Sequence, residues 1–305
     1  MSPYLRIARV DHWIKNIFVI PGLLSAFVLG YAHPEFNWLL LAIGFASICA
    51  IVSANYTINE FLDREFDRFH PTKRHRAGAQ GDLKAHLVWC QYALLALAGL
   101  ALAALVNRSF QVTAALLLLM GLLYNVEPVR TKDRVYLDVL SESINNPLRF
   151  LLGWFLVTAT VFPPSSILIS YWMGGAFLMA VKRYSEYRMI GDAAVAGSYR
   201  RSFRKYTEDK LLLSSIFYAL NSVFFLGVFL IKYRIEFLLS FPLFAVLFVW
   251  YLRIGLKGES AAQAPEKLYR ERRFMAYVAF LAIAVLMLFF IDIPVLRVLQ
   301  EPTVR

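Results

Sequence analysis

The 305-residue sequence predicts an all-α, polytopic membrane protein of about nine transmembrane helices, and three observations predict it. Mean hydropathy is +0.55, with 59% hydrophobic residues against 17% charged, a balance outside that of soluble domains. The apolar residues are gathered into nine continuous stretches, roughly 16–32, 38–61, 84–105, 110–125, 137–160, 165–184, 211–231, 235–252 and 274–296. A helical span needs about 20 such residues, and the runs lack the dyad alternation of a β-barrel. Lys and Arg also fall on alternate loops. With the amino terminus in the cytoplasm, 26 of the 32 lie in residues 1–15 and in loops at about 62–84, 125–136, 182–210 and 252–273. The positive-inside bias then predicts an N-in, C-out chain in an inner or plasma membrane. A single integral membrane domain over 1–305 is expected. The first stretch follows basic residues, as a signal peptide does, but eight further spans make it an uncleaved anchor.

The elements follow in order. Ahead of the first stretch, Arg9-Val-Asp-His-Trp13-Ile-Lys15-Asn16 offers Trp13 as an interfacial anchor, and Lys15 either snorkels or meets an anion. The second stretch ends in Asn59-Glu-Phe-Leu-Asp63-Arg-Glu-Phe-Asp67. At about 100° per helical residue, Asn55, Asn59, Asp63 and Asp67 form one stripe with Glu60 at its edge. Acids at the end of a span call for water or counter-ions. Lys73, Arg74 and Arg76 follow directly, with His70 and His75 among them. Carboxylates beside fixed cations suit a divalent metal carrying a polyphosphate, because the metal bridges acid to phosphate while Lys and Arg hold the other oxygens. A solvated helix end is the plainer alternative.

The third and fourth stretches, joined near Asn107-Arg108, are nearly uncharged and read as scaffold. Cys49 and Cys90 sit on separate stretches without metal spacing and read as core residues, with no disulfide. Next comes Tyr124-Asn-Val-Glu-Pro-Val-Arg130-Thr-Lys132-Asp133-Arg134, and the fifth stretch opens at Asp138. Glu142, Asn145 and Arg149 lie within about 40° of Asp138 on a helical projection. This is a second polar stripe entering from the same side. Arg149 either pairs with one of these acids or meets an anionic substrate. After the sixth stretch, Lys182-Arg183-Tyr-Ser-Glu186 sets Lys182 and Glu186 at i,i+4, and a basic loop carries Arg200, Arg201, Arg204, Lys205 and Tyr206. Pro265-Glu266 and a basic run precede the last stretch. There is no glycine-rich nucleotide fingerprint, Walker loop, zinc spacing or nucleophile elbow, and no nucleic-acid partner is expected. A transporter also places polar stripes in spans, but these acids cluster at the cytoplasmic ends.

These residues resemble the UbiA superfamily of intramembrane prenyltransferases over essentially the whole chain. Within it they are most similar to the decaprenyl-phosphate phosphoribosyltransferase subgroup. The resemblance is carried by Trp13-Ile-Lys15-Asn16, His70-Pro71-Thr72-Lys73-Arg74, the Lys132 to Asp138 spacing, Arg149, Lys182-Arg183 with Glu186, Arg204-Lys205-Tyr206-Thr207 and Pro265-Glu266. Three departures stand out. Glu60 takes the second place of the family's Asn-Asp-x-x-Asp-x-x-x-Asp, Asp133 and Asp138 are five residues apart rather than four, and Asp11-His12 stands where relatives tend to carry Pro and Gln. Whether Glu60 and Asp133 touch metal stays open.

The resemblance implies a UbiA-type bundle with a cytoplasmic active site and a Mg²⁺-dependent glycosyl transfer. 5-Phosphoribose would pass from phosphoribosyl pyrophosphate to a polyprenyl phosphate of decaprenyl type, releasing pyrophosphate, for cell-envelope glycan precursors. It implies Mg²⁺ on Asn59, Asp63 and Asp67, with Asp63, Asp67 and Asp138 catalytic. Lys73, Arg74 and Arg76 would hold the donor phosphates, and Lys15, Asn16, Arg149, Lys182 and Arg183 the acceptor phosphate. Tyr124, Glu142 and Glu186 would orient the ribose. The alternative is an aromatic or quinone-precursor prenyltransferase using a prenyl diphosphate. The density of Lys and Arg favours the reaction with two phosphorylated substrates. Prenyl chain length and self-association stay open.

Overall fold

The computed structural model describes residues 2–31, 37–70, 73–80, 82–233, 235–257 and 265–296. Pro71 and Thr72 of the sequence motif lie outside the described residues, as do the side chains of Pro265 and Glu266. Among the described residues there is helix and no β-strand. The chain divides into two compact units, Met1–Pro163 with Ile190–Thr207, and Pro164–Met189 with Glu208–Arg305.

The first unit runs through α1 (Pro3–Ile7), a 3-10 stretch (Val10–Val19), α2 (Ile20–Val28), α3 (Trp38–Leu62), α4 (Arg64–Asp67), α5 (Ala77–Gln80), α6 (Ala85–Val106), α7 (Arg108–Asn125), α8 (Leu137–Ser143) and α9 (Asn145–Phe155). α10 (Ser165–Ile190) opens the second unit, and α11 (Ala193–Tyr199) belongs to the first. Asn37 caps α3 by accepting from the amides of Leu39 and Leu40 at 2.9 and 3.4 Å. Its 25 residues span about 37 Å at the helical rise, enough to cross a bilayer. α6 and α7 pack on α3. The Ser47 hydroxyl donates to the Gly99 carbonyl at 2.7 Å, and a Cβ at Gly99 would come within 2.7 Å of Ile51, so the small residues let α3 and α6 approach closely. Where α2 meets α9 the backbones touch. A Cβ on Gly22 would lie 1.9 Å from the Phe150 carbonyl oxygen, and one on Gly153 would lie 2.0 Å from that of Val19.

Three predicted stretches come out differently. The first is a 3-10 stretch followed by α2, whose opening turn holds Pro21; proline has no amide hydrogen and favours that position. The fifth, expected over 137–160, breaks at Ile144 and ends at Phe155. Pro147 cannot donate to the Ser143 carbonyl, which interrupts the ladder. The second polar stripe therefore runs over two helices, Asp138 and Glu142 on α8 and Asn145 and Arg149 on α9, with the Leu148 amide donating to the Ile144 carbonyl at 3.2 Å across the break. The sixth runs on to Ile190 and stops at Gly191, whose φ of +70° ends the helix. Lys182, Arg183 and Glu186 are therefore helical, where a loop was expected to open at 182.

In the second unit, α10 is followed by α12 (Glu208–Tyr233), a 3-10 stretch (Ile235–Ser240), α13 (Phe241–Gly255) and α14 (Arg272–Phe290). The Ser170 and Ser222 hydroxyls each donate to the other's carbonyl at 2.9 Å, joining α10 to α12. Phe177 packs on Phe248 and Tyr251 of α13, and the Tyr277 hydroxyl of α14 donates to the Leu243 carbonyl at 2.8 Å. Among the described residues, five helical segments are long and apolar enough to cross a membrane: α3, α6, α10, α12 and Ile235–Gly255. These correspond to the second, third, sixth, seventh and eighth predicted spans; the first and fifth are broken, and the fourth and ninth are the helices α7 and α14, which are not among the five.

Candidate active site

The polar site gathers where α3, α4, α7, α8 and α11 end or begin, all within the first unit. α3 yields at Asp63 only briefly. The Asp63 amide donates to the Asn59 carbonyl at 3.0 Å, and the Asp67 amide to that of Asp63 at 2.8 Å. The predicted stripe thus survives for Asn59, Asp63 and Asp67, with the Asn59 amide donating to Asp63 Oδ2 at 3.4 Å. Asn55 leaves it, donating instead to the Leu117 carbonyl of α7 at 2.9 Å.

Asp63 receives the Lys132 ammonium and, at 3.1 Å, Arg130 Nη2. Asn125 Oδ1 accepts from Asn59 at 2.6 Å and from Lys132 at 2.8 Å, so one amide oxygen joins the end of α3 to the loop after α7. Arg130 also donates to the Asn125 carbonyl at 2.9 Å and to Asp133 at 3.1 Å, from a left-handed φ of +29° that is uncommon for an arginine. Burial opposes ionisation of Asp63, but Lys132, Arg130 and Arg200 outweigh it and hold the carboxyl below its ordinary range. Burial pushes the Lys132 ammonium down to about 8, against the pull of Asp63.

Asp67 accepts from Arg76 at 3.0 Å. Burial pushes its carboxyl up to about 6, with Arg76 opposing and Asp63 adding to the rise. Lys73 meets the Tyr199 hydroxyl, and the Tyr199 ring lies edge-on to buried His70 with centroids 4.5 Å apart. Arg74 is exposed, 3.3 Å from His75. Glu60 is buried between Arg9, at 2.6 Å, and Arg76, at 3.4 Å.

The second stripe faces inward. Asp138 is fully buried and accepts from the Tyr206 hydroxyl at 2.7 Å and the Ser202 hydroxyl at 3.2 Å, with Arg200 at 3.6 Å. The Tyr124 hydroxyl donates to Glu142 at 2.7 Å and accepts from Arg200 at 3.4 Å. Asp133 takes Arg130 and, at 3.3 Å, Arg201. Asp63, Phe66, Asp67, Arg130, Lys132, Asp133, Tyr199 and Arg200 line a cavity of about 20 Å³, room for a water or a bare cation. Arg130 and Asp133 also wall an adjoining cavity of about 290 Å³, lined in addition by Glu127, Arg134 and Arg201.

The expected acceptor set is divided. Lys15 and Asn16 lie on the 3-10 stretch that packs on α9, the helix of Arg149. Asn16 is buried and donates to Cys49 Sγ at 3.4 Å. Lys182, Arg183 and Glu186 are in the second unit, where Arg183 pairs with Glu186 at 3.0 Å, both side chains buried. Cys90 is exposed on α6 rather than in the core. Sequence reasoning passed over Arg9, Asn125, Tyr199 and Tyr206 as site residues, and gave Arg130, Lys132 and Arg200 no role. The basic residues after the fourth and sixth stretches were the available signal; Asn125 and Tyr199 are set by long-range packing.

Among the described residues no three His, Cys, Asp or Glu side chains are grouped to hold a metal, since Asp63 and Asp67 face Lys and Arg. The carboxylate and amide oxygens of Asn59, Asp63 and Asp67 are nonetheless the hard donors that a small divalent ion takes.

Helices long enough to cross a bilayer, with a site of paired acids and cations at the end of one of them, define a helical membrane protein. The chain belongs to the UbiA prenyltransferase family, whose pattern matches residues 18–278. It is 27% identical over 212 residues to decaprenyl-phosphate phosphoribosyltransferase of Mycolicibacterium smegmatis, covering 69% of this chain and 64% of that protein, just under two thirds of the relative's own length. Nodulation protein NoeC of Azorhizobium caulinodans is 31% identical over 229 residues, 74% of this chain and 71% of NoeC. A UbiA homolog from Archaeoglobus fulgidus bound to GPP and Mg²⁺ shares the fold, with a TM-score of 0.71 at 21% identity over 95% of this chain and 100% of that one.

Proposed function

We propose that the protein transfers 5-phosphoribose from phosphoribosyl pyrophosphate to a polyprenyl phosphate, releasing pyrophosphate, as a step toward cell-envelope glycan precursors. It acts as one integral membrane domain, N-terminus inside and C-terminus outside. The observation that carries this reading is the cation density about the acids. Arg76 lies on Asp67, Arg130 and Lys132 on Asp63, and Arg200 on Asp138. A phosphosugar pyrophosphate and a lipid phosphate bring more negative charge than one diphosphate with a neutral or singly charged aromatic acceptor.

The donor set fits Mg²⁺, held by Asn59, Asp63 and Asp67 with water and phosphate oxygens. Bound there, the ion neutralises charge on the leaving pyrophosphate. Lys73, Arg74 and Arg76, joined by Arg130, Lys132 and Arg200, hold the phosphate oxygens. Their charge grows as the anomeric carbon-oxygen bond loosens, so these cations favour the transition state over the ground state. The acceptor phosphate is already anionic near neutral pH and needs no general base. Lys15, Asn16 and Arg149 hold it, and Lys182 and Arg183 enter the proposal on their sequence position. The hydrogen-bonded Tyr124 and Glu142 orient the ribose hydroxyls, and Glu186 enters the proposal on its sequence position alone. Asp138 serves catalysis through Arg200, which reaches both the cavity wall and Tyr124.

Membranes containing the protein, given labelled phosphoribosyl pyrophosphate, Mg²⁺ and a polyprenyl phosphate, are expected to form an acid-labile lipid-linked phosphoribose. Absence of that product, with geranyl transfer to an aromatic acid instead, contradicts the proposal.

A further inference from the structure

Glu60 stands beside Asn59 in the acidic motif, yet it is only 2% exposed and is absent from the wall of the Asp63 cavity. Two guanidinium groups bracket it, Arg9 at 2.6 Å and Arg76 at 3.4 Å. The same Arg76 Nη1 donates to Asp67 Oδ2 at 3.0 Å. A chain of charges therefore runs from the amino-terminal segment through Glu60 and Arg76 to a carboxylate on the cavity wall. Both ends of this chain are held. Ile7, two residues before Arg9, is fully buried in a cluster with Phe61, Leu83 and Val88. Gln91 donates to the Tyr4 carbonyl at 3.0 Å, and Arg9 adopts a left-handed φ of +49° that aims it inward. On the other side, a Cβ at Gly78 would lie 2.3 Å from the Glu60 carbonyl oxygen, so the segment after Arg76 is pressed against the turn that carries Glu60.

We propose that Glu60 is a positioning residue rather than a metal ligand. Fixed by Arg9, it holds Arg76, and Arg76 holds the Asp67 carboxylate toward the metal polyphosphate, which makes the amino-terminal segment part of the donor site. The extra methylene of glutamate is what lets one carboxylate reach both guanidinium groups. Without its charge, among the described residues Arg9 retains only Asp11 as a carboxylate partner and Arg76 loses one of its two, so the Arg76–Asp67 pair is less firmly placed. This rests on the donor-site reading above, but not on which acceptor is used.

The test uses the full chain in detergent, with Mn²⁺ alone as the probe, read by electron paramagnetic resonance alongside the thermal midpoint and the steady-state constants. Glu60→Gln and Glu60→Asp are expected to bind as many Mn²⁺ ions as wild type with about tenfold weaker affinity, the size of one charge-assisted hydrogen bond. The donor KM should rise more than kcat falls. Arg9→Lys, which keeps a charge beside Glu60, should fall between wild type and Arg9→Ala in Mn²⁺ affinity. Loss of one bound Mn²⁺ in Glu60→Gln makes Glu60 a ligand and overturns the proposal, as does unchanged Mn²⁺ affinity in folded Arg9→Ala. Should the Glu60 variants unfold, the two Arg9 variants decide. Mn²⁺ binding is read without turnover, so failure of the proposed transfer reaction is a separate result.

Discussion

At Asp63 one carboxylate contacts two buried cations, Lys132 at 3% exposure and Arg130 at 7%, and Arg130 is shared with Asp133 while Lys132 has Asp63 as its carboxylate partner. Asp63→Asn removes that counter-charge, and leaving buried charges uncompensated costs about 3–5 kcal/mol. Asp67 differs, because its carboxyl is already pushed up to about 6 and its charged form is disfavoured by burial. A neutral amide there is expected to cost only about 1 kcal/mol. Thermal unfolding in detergent should therefore rank Asp67→Asn above Asp63→Asn, while both abolish transfer. Asp138 gives a third case. Tyr206→Phe takes a 2.7 Å hydrogen bond from a carboxylate with no solvent exposure, so a loss of about 1–3 kcal/mol is expected. Donor KM should rise with it, because Arg200 leans on the same carboxylate. An unchanged KM in a destabilised Tyr206→Phe would limit Asp138 to a structural role.

Among the elements, the seam between α2 and α9 is the most sharply constrained. Gly153→Ala drives a methyl to within 2.0 Å of a backbone oxygen, which forces the helices apart at a cost of about 1–3 kcal/mol. Because the 3-10 stretch with Lys15 and Asn16 packs on α9, this variant should also raise the acceptor KM, leaving donor binding near wild type. The same region shows why part of the fold was illegible. Hydropathy marks 16–32 and 137–160 as apolar, yet it does not register that Pro21 and Pro147 each set a helix boundary inside them. Helical projection did recover Asn59, Asp63 and Asp67, because a hydrogen bond from the Asp67 amide bridges the break at Asp63. It failed for Asn55, since Gly121 on another helix makes the room into which that side chain turns. Asn125, Tyr199 and Arg9 join the site through contacts more than 50 residues apart in sequence, which no local pattern encodes.

For the whole molecule, the acids that a divalent ion would share already have Lys and Arg partners of their own, so folding does not depend on the ion for counter-charge. Chelation of Mg²⁺ should thus abolish transfer while the thermal midpoint changes little, and added Mg²⁺ should restore activity in full. A structural metal, by contrast, would carry folding free energy with it. Family and membrane character were legible from hydropathy and two acidic motifs, because those signals survive local helix breaks. In the proposed function the choice of substrate rests on the number and placement of cations, and the most direct test of it is the product. Membranes given labelled phosphoribosyl pyrophosphate, Mg²⁺ and a polyprenyl phosphate should yield lipid-linked phosphoribose in wild type and none in Asp67→Asn. No such lipid from wild type, together with prenyl transfer from a prenyl diphosphate to an aromatic acid, would contradict the account.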